Sequence, residues 1–453
     1  MSEQSDNPPV SPANKNRKLI LWLVLVALAL GPAVGVIWIM KNKRERSRRR
    51  LVATAQSDSA ALLANAQKLA EAETQYRQAI MTDPSYALAH YGLGLALMNQ
   101  DKISEAEASF REAAKQDANY ALAHNALAVV LLIQKKDAEG EAELNEALRI
   151  EPNLARAHRN LGLRLLERKQ YPESEAEFRK ALSLDPTLGT NAEFHYDFGE
   201  VLAGQSQHDG AEQRYREAIR LDPQYAVAYQ ALAMELFQLR RPTEAESPLK
   251  QAMSLDTRIA NDPVTRANLG MALWYRGRLK EAEVLDREAL ALDPNCAEAH
   301  NGLGNIFTAA LKNQEAEREY RAAIAAKRTM APARVNLAMI LNAREQFDEA
   351  ESELRQAMNS DPFESSDGNA HVELATSLLG EKRYAEAETE LRDAIKLTPQ
   401  LESDGRFHYR MAVALAHQQR LEEATVEYQA ALRFKVPSAA IREDLSWLMG
   451  QSK

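Results

Sequence analysis

Small residues and prolines recur in this chain at a fixed interval, and that interval restricts the fold more than any other feature. The prolines of Asp-Pro and Glu-Pro dipeptides at Pro84, Pro152 and Pro186 are spaced by 34 residues or a multiple of it, with Ala118 in the missing slot. A period of that size signals a stacked structural unit. Units begun at 53, 87, 121, 155, 192, 226, 263, 297, 331, 368 and 405 give eleven copies, and extra triplets at 189–191, 260–262, 365–367 and 402–404 separate some neighbours. The eighth position is always Gly or Ala, as at Ala60, Gly94, Gly270 and Gly304. The twenty-seventh is Ala in every copy, from Ala79 to Ala431. Helices whose axes lie about 8–10 Å apart need small side chains where their backbones come closest, so the period encodes a helix pair.

Within one unit, Leu93 and Leu97 share a stripe of a first helix, and Ala106, Phe110 and Ala113 share a stripe of a second. Residues 99–102 make the turn between them. The second helix stops because a residue before proline is pushed out of the α region, as at Asp83, Glu151, Asp185, Asp222, Asp293 and Asp361. Only 18 Gly and 17 Pro interrupt 453 residues, which favours helix almost throughout.

Small residues at 8, 20 and 27, an aromatic or Leu at 24 and Pro at 32 resemble the tetratricopeptide repeat, over residues 53–438. The resemblance implies an all-α, right-handed superhelical solenoid of about eleven helix-turn-helix units. Departures are Asp286 at position 24, where Leu285 is expected to substitute, and Ala118, Thr257, Arg328 and Val436 in place of Pro. Residues 439–453 are expected to form a capping helix and tail on the exposed end of the stack.

Ahead of the repeats, residues 19–40 carry no charge, and a helix of that length covers roughly 33 Å. Trp22 and Trp38 stand near its ends. The expectation is a polar tail at 1–18, a transmembrane helix at 19–40 and a basic juxtamembrane linker at 41–52, as in membrane-anchored repeat proteins of bacterial type. A cleaved signal peptide is the weaker reading, since apolar residues continue to Met40. Three Lys and Arg precede the span and seven follow it within residues 41–50, which places the repeats on the cytoplasmic side of a single-pass protein, with the exported side as the alternative. The basic residues 41–50 suit anionic lipid.

Residues 1–50 hold 10 basic and 3 acidic side chains, and the remainder holds 46 against 62. An acidic body argues against nucleic acid, which draws on a clustered positive surface. Cys296 stands alone and by itself builds neither a disulfide nor a metal centre. Seven histidines, His90, His124, His158, His195, His300, His371 and His408, occupy the fourth position of their units. Neighbouring copies are expected about 9 Å or more apart, too far to share one zinc, so a packing role is expected and no metal or cofactor. The Gly-x-Gly pairs at Gly92 and Gly302 follow no strand and lack a third glycine. Periodic Glu-Ala-Glu triplets read as solvated helix faces rather than catalytic carboxylates. Fewer than twenty residues follow the last repeat, so neither an enzyme nor a small-molecule substrate is expected.

In tetratricopeptide proteins the first helices line a groove through positions 2, 5, 9, 12 and 13, where peptides or helices bind. Here that implies a partner-binding groove of Met234, Phe237, Met271, Trp274 and Tyr275, with Val227 and Val264 beside them. Asn301 and Asn305 would hydrogen-bond a peptide backbone, and Glu200 would supply charge on the other flank. Exposed Met and aromatic side chains commonly mark binding sites. The alternative is that these residues pad the seam between helices. A second apolar stretch runs from Leu88 to Ile133. Asn305 and Asn336 fit two slots of the clamp that grips chaperone tails, but Asn301, Asn369 and Glu373 stand where its cations belong. The function implied is a membrane-anchored scaffold for protein or peptide clients; the alternative is an accessory subunit of a membrane enzyme or envelope-assembly complex.

Overall fold

The computed structural model describes residues 40–360 and 368–434. These residues contain helices and turns and no strand. They divide into two compact units, one ending at Thr190 and the other beginning at Asn191, so repeats 1–4 belong to the first and repeats 5–11 to the second.

Ten first helices begin where the periodicity places them. In the first compact unit they are Ala87–Met98, Ala121–Ile133 and Ala155–Glu167. In the second they are Ala192–Gly204, Ala226–Gln238, Pro263–Tyr275, Ala297–Ala309, Ala331–Ala343, Gly368–Gly380 and Gly405–His417. In repeat 1 a single helix runs over residues 40–65, so residues 41–52, expected as a linker, are helical. The capping segment 439–453 lies outside the described residues.

Each turn inside a repeat is made the same way. The fifteenth residue takes a left-handed backbone in all eleven repeats, from Gln67 (φ 59°) to Gln419 (φ 63°), and only at Gly277 is it glycine. The next N–H then donates to a carbonyl five residues back, as Lys102 does to Leu97 at 2.9 Å and Lys312 to Phe307 at 2.9 Å. That pair of features is the Schellman ending of a helix. The second helix ends in extended backbone whether or not proline follows: Asp83 has φ −137° before Pro84, and Asp117 has φ −139° before Ala118. In repeat 2 an aspartate takes over from proline. Asp117 Oδ1 accepts the Asn119 N–H at 3.1 Å, closing an Asx turn without proline.

Of the four extra triplets, the one at 365–367 lies outside the described residues, and the other three fall at joints between repeats. They accompany short helical turns at Pro186–Thr190, Thr257–Ala260 and Pro399–Ser403. The next first helix then gains a side-chain cap that most others lack: Asn191 accepts from Phe194 N, Asp262 from Thr265 N and Asp404 from Arg406 N. The alanine at position 27 is fully buried in all eleven repeats, so the helix pair within each repeat is packed alike whether or not an insertion follows.

The single-pass membrane placement expected from the sequence does not stand. Among the described residues no helix is long and apolar enough to cross a membrane. The expected span, residues 19–40, lies outside the described residues apart from Met40.

Candidate partner-binding groove

Positions 8 and 24 show how the first helices are held over the second. A Cβ added to Gly94, Gly162, Gly199 or Gly304 would collide with the ring of Phe110, Phe178, Tyr215 or Tyr320, the position-24 residue of the same repeat. Where position 8 is Ala128, Ala233, Ala338 or Ala375, position 24 is Leu144, Leu249, Leu354 or Leu391. The terminal repeats pair Ala60 with Tyr76 and Ala412 with Tyr428. Backbone approach and side-chain size are thus matched in repeats 2–6 and 8–10, while repeats 1 and 11 seat a tyrosine against alanine.

The tips of two of these rings reach the face where the groove is expected. Tyr215 donates from its hydroxyl to Glu200 at 2.5 Å, at position 9. The Tyr320 hydroxyl donates to Asn305 Oδ1 at 2.9 Å, at position 9, and lies 3.0 Å from Thr308 Oγ1, at position 12. Burial pushes the Tyr320 phenol up to about 12 and keeps it a donor at neutral pH.

Along this face stand the side chains picked out by register. Met234, Phe237, Met271 and Trp274 are half-buried and Tyr275 is 52% exposed. Met234 Sδ takes a long hydrogen bond from Asn268 of the next repeat at 3.5 Å. Trp274 and Tyr275 meet edge to face at 4.9 Å. Trp274 also packs on a cluster with Leu273, Leu303 and Ile306, with Phe307 beside it. The polar flank is more inward than expected. Asn301 is only 1% exposed, and Asn336 donates to Asn305 at 2.9 Å and to Asn301 at 3.4 Å. Those amides join repeats 8 and 9, and Glu200 is engaged by Tyr215.

Repeat 7 breaks the rule of positions 8 and 24. Leu285 packs at the margin of the Leu273 cluster, and Asp286 itself enters the ring slot, 1% exposed. Its carboxyl lies where added Cβ atoms on Gly270 and Gly302 would clash. Neither carboxyl oxygen has a hydrogen-bond partner, and burial, with nearby Glu283, pushes the group up to about 8.

Five of the seven fourth-position histidines pair with a glutamate, while His90 faces the Pro84 carbonyl and His195 faces Arg214. His124, His158, His300, His371 and His408 each meet a glutamate nineteen residues on, at 2.6 Å for His124–Glu143 and 2.7 Å for His300–Glu319. Arg334 takes the same place opposite Glu353. The other ring nitrogen of His300 faces the Pro294 carbonyl at 3.1 Å. Both partners of His300 accept, which selects the imidazolium, and Glu319 raises its pKa accordingly. The recurrence of Glu at that spacing was visible in the sequence, but a search for metal ligands looks past it. Among the described residues no group of three or more ligand-type side chains could hold a metal.

A separate cleft of about 1010 Å³ opens between the second helices of repeats 5 and 6, over Tyr229, Leu232 and Leu236. It follows from the broken second helix of repeat 6, where a 3-10 turn at Pro242–Glu244 precedes Glu246–Leu255. Its rim charges are matched: Glu246 meets Lys250, Arg276 and Arg278 at 2.6–2.8 Å.

Family models described as TPR repeat match residues 63–101, and models described as tetratricopeptide repeat match 92–155, 155–188, 196–257, 264–292, 331–364 and 372–440. The chain belongs to the tetratricopeptide-repeat family. Among solved structures, this tetratricopeptide protein is similar to yeast Tom70, at 16% identity over 88% of this chain and 95% of that one, with a TM-score of 0.38. It is also similar to the human IFIT1 dimer with m7Gppp-AAAA, at 17% identity over 76% and 89%, with a TM-score of 0.44. A third is YrrB, described as a TPR protein with an unusual peptide-binding site, at 23% identity over 42% and 95%, with a TM-score of 0.36. No curated protein matches the chain.

Proposed function

We propose that this tetratricopeptide protein is a protein-interaction scaffold whose client, a peptide or helix, lies along the first helices of repeats 5–8. One observation carries the reading: Met234, Phe237, Met271, Trp274 and Tyr275 recur at positions 9, 12 and 13 and leave apolar and aromatic surface open to solvent on one face. Trp and Tyr on such a face are favoured anchors because they give large contact area at low entropic cost. The matched charges of the outer cleft leave it a weaker candidate. Peptides selected from a random library on the full-length chain supply clients for the test. Trp274→Ala combined with Phe237→Ala should weaken their binding at least about a hundredfold, as loss of two anchors implies, with an unchanged helical circular dichroism spectrum. Undiminished binding by that folded double variant rules out this face.

A further inference from the structure

Repeat 7 holds three unmatched polar atoms. Both carboxyl oxygens of Asp286 and the indole Nε1 of Trp274 are buried without a hydrogen-bond partner. In repeat 8 the equivalent positions, Thr308 and Tyr320, satisfy each other at 3.0 Å. The comparison locates the deficit. A tyrosine at position 24 carries a hydroxyl to positions 9 and 12, a reach that aspartate lacks. Gly270 and Gly302 nevertheless keep the close backbone approach that a ring slot needs.

We propose that this slot receives the guanidinium of an arginine from the client segment. The inference rests on the groove reading above and adds what the groove selects. Two adjacent carboxylate oxygens, both without partners, match the planar fork of arginine, which pairs with a carboxylate bidentately. The indole of Trp274 offers a face for the same cation. Its unmatched N–H suits a carbonyl of the client backbone, completing the set of one donor and two acceptors. Positions 9 and 12 of repeat 7 are Met271 and Trp274, both half-buried and so in reach of a guest on the groove face. The acidic balance of residues 51–453, 46 basic against 62 acidic, draws a basic segment to the chain. Without a guest, burial keeps the Asp286 carboxyl protonated around neutral pH, which lowers the cost of leaving it unpaired. An arriving guanidinium displaces that proton.

The test pans a random dodecamer phage library against the purified full-length chain and against Asp286→Asn. Arginine should recur at one position on the wild type and not on the variant. In a selected peptide, exchange of that arginine for citrulline, its neutral isostere, should weaken binding to the wild type about tenfold or more, as loss of a charge-assisted bond implies, and leave binding to Asp286→Asn nearly unchanged. Calorimetry in buffers of different ionisation enthalpy should register proton release near pH 7 on the wild type alone. Asp286→Leu, which copies Leu249 and Leu354 in equivalent slots, should lose the arginine preference and keep the fold, which separates recognition from stability. Selected peptides that bind through Trp274 and Phe237 but show no recurring arginine, or recurring lysine, overturn the slot and spare the groove. No selected peptide sensitive to Trp274→Ala with Phe237→Ala overturns both.

Discussion

Gly304 and Tyr320 illustrate how tightly single residues are set in this stack. A methyl group on Gly304 would meet the Tyr320 ring, and overpacking of that kind costs about 1–3 kcal/mol, against roughly 1 kcal/mol regained in helix propensity. Gly304→Ala should therefore lower stability by up to about 2 kcal/mol in denaturant melts, and the loss should vanish in a Tyr320→Leu background, which recreates the Ala–Leu pairing of repeats 3, 6, 9 and 10. Equal loss in both backgrounds would refute the coupling. Asp286 makes a prediction of a different kind. Its carboxyl pKa is raised in the folded chain to about 8 from an ordinary value near 3.8, so between those values the folded state holds a proton that the unfolded state has lost. Stability then falls as pH rises through that window. Relative to wild type, Asp286→Asn should be about neutral at pH 4, gain on the order of a few kcal/mol by pH 8, and gain no more above it. A constant difference across that range would contradict the burial. The small residues at positions 8 and 27 were legible in the sequence because sterics allows nothing else there. The unmatched carboxyl was not, because periodicity says which face a residue takes but not whether its polar atoms find partners, and Leu285 looked like the better fit.

Helices and joints follow their own rules. The first-helix starts from repeat 2 onward were fixed by the period, including those after extra triplets, since a slip would expose alanines that are all fully buried. The left-handed fifteenth residue escaped the sequence reading because ten of eleven copies are not glycine; side chains such as Leu311 (φ 58°) bear that strain on an exposed turn. The caps supplied by Asn191, Asp262 and Asp404 were equally hidden, as insertions read as interruptions and turned out to furnish helix starts. Asp262 accepts the Thr265 N–H at 2.8 Å and its hydroxyl at 2.5 Å. Asp262→Ala should cost about 1–2 kcal/mol and speed amide exchange in the first turn of Pro263–Tyr275. A loss below about 0.3 kcal/mol would show that the cap is idle.

At the scale of a compact unit, a stack of repeats has stability that is nearly a sum of local and nearest-neighbour terms. Hydrogen exchange within residues 191–434 should thus be graded, slowest in repeats 7–9 and faster toward repeat 11, instead of uniform. One exchange rate shared by all seven repeats would count against it. The candidate groove was legible as a set of positions, because the same positions recur on the same face. Its polar flank was not: Asn301 and Asn305 are spent holding repeats 8 and 9 together, and no spacing rule distinguishes an amide that serves the stack from one that serves a guest.

The three short helical joints at residues 186–190, 257–260 and 399–403 absorb added length while the alanines on either side stay sealed. Sequence can therefore be threaded in at these points without disturbing the helix pairs that flank them. A fluorescent reporter or an epitope spliced into the second or third joint would ride on the chain as a passenger, and a pair of them would report stretching when a guest settles along the inner face.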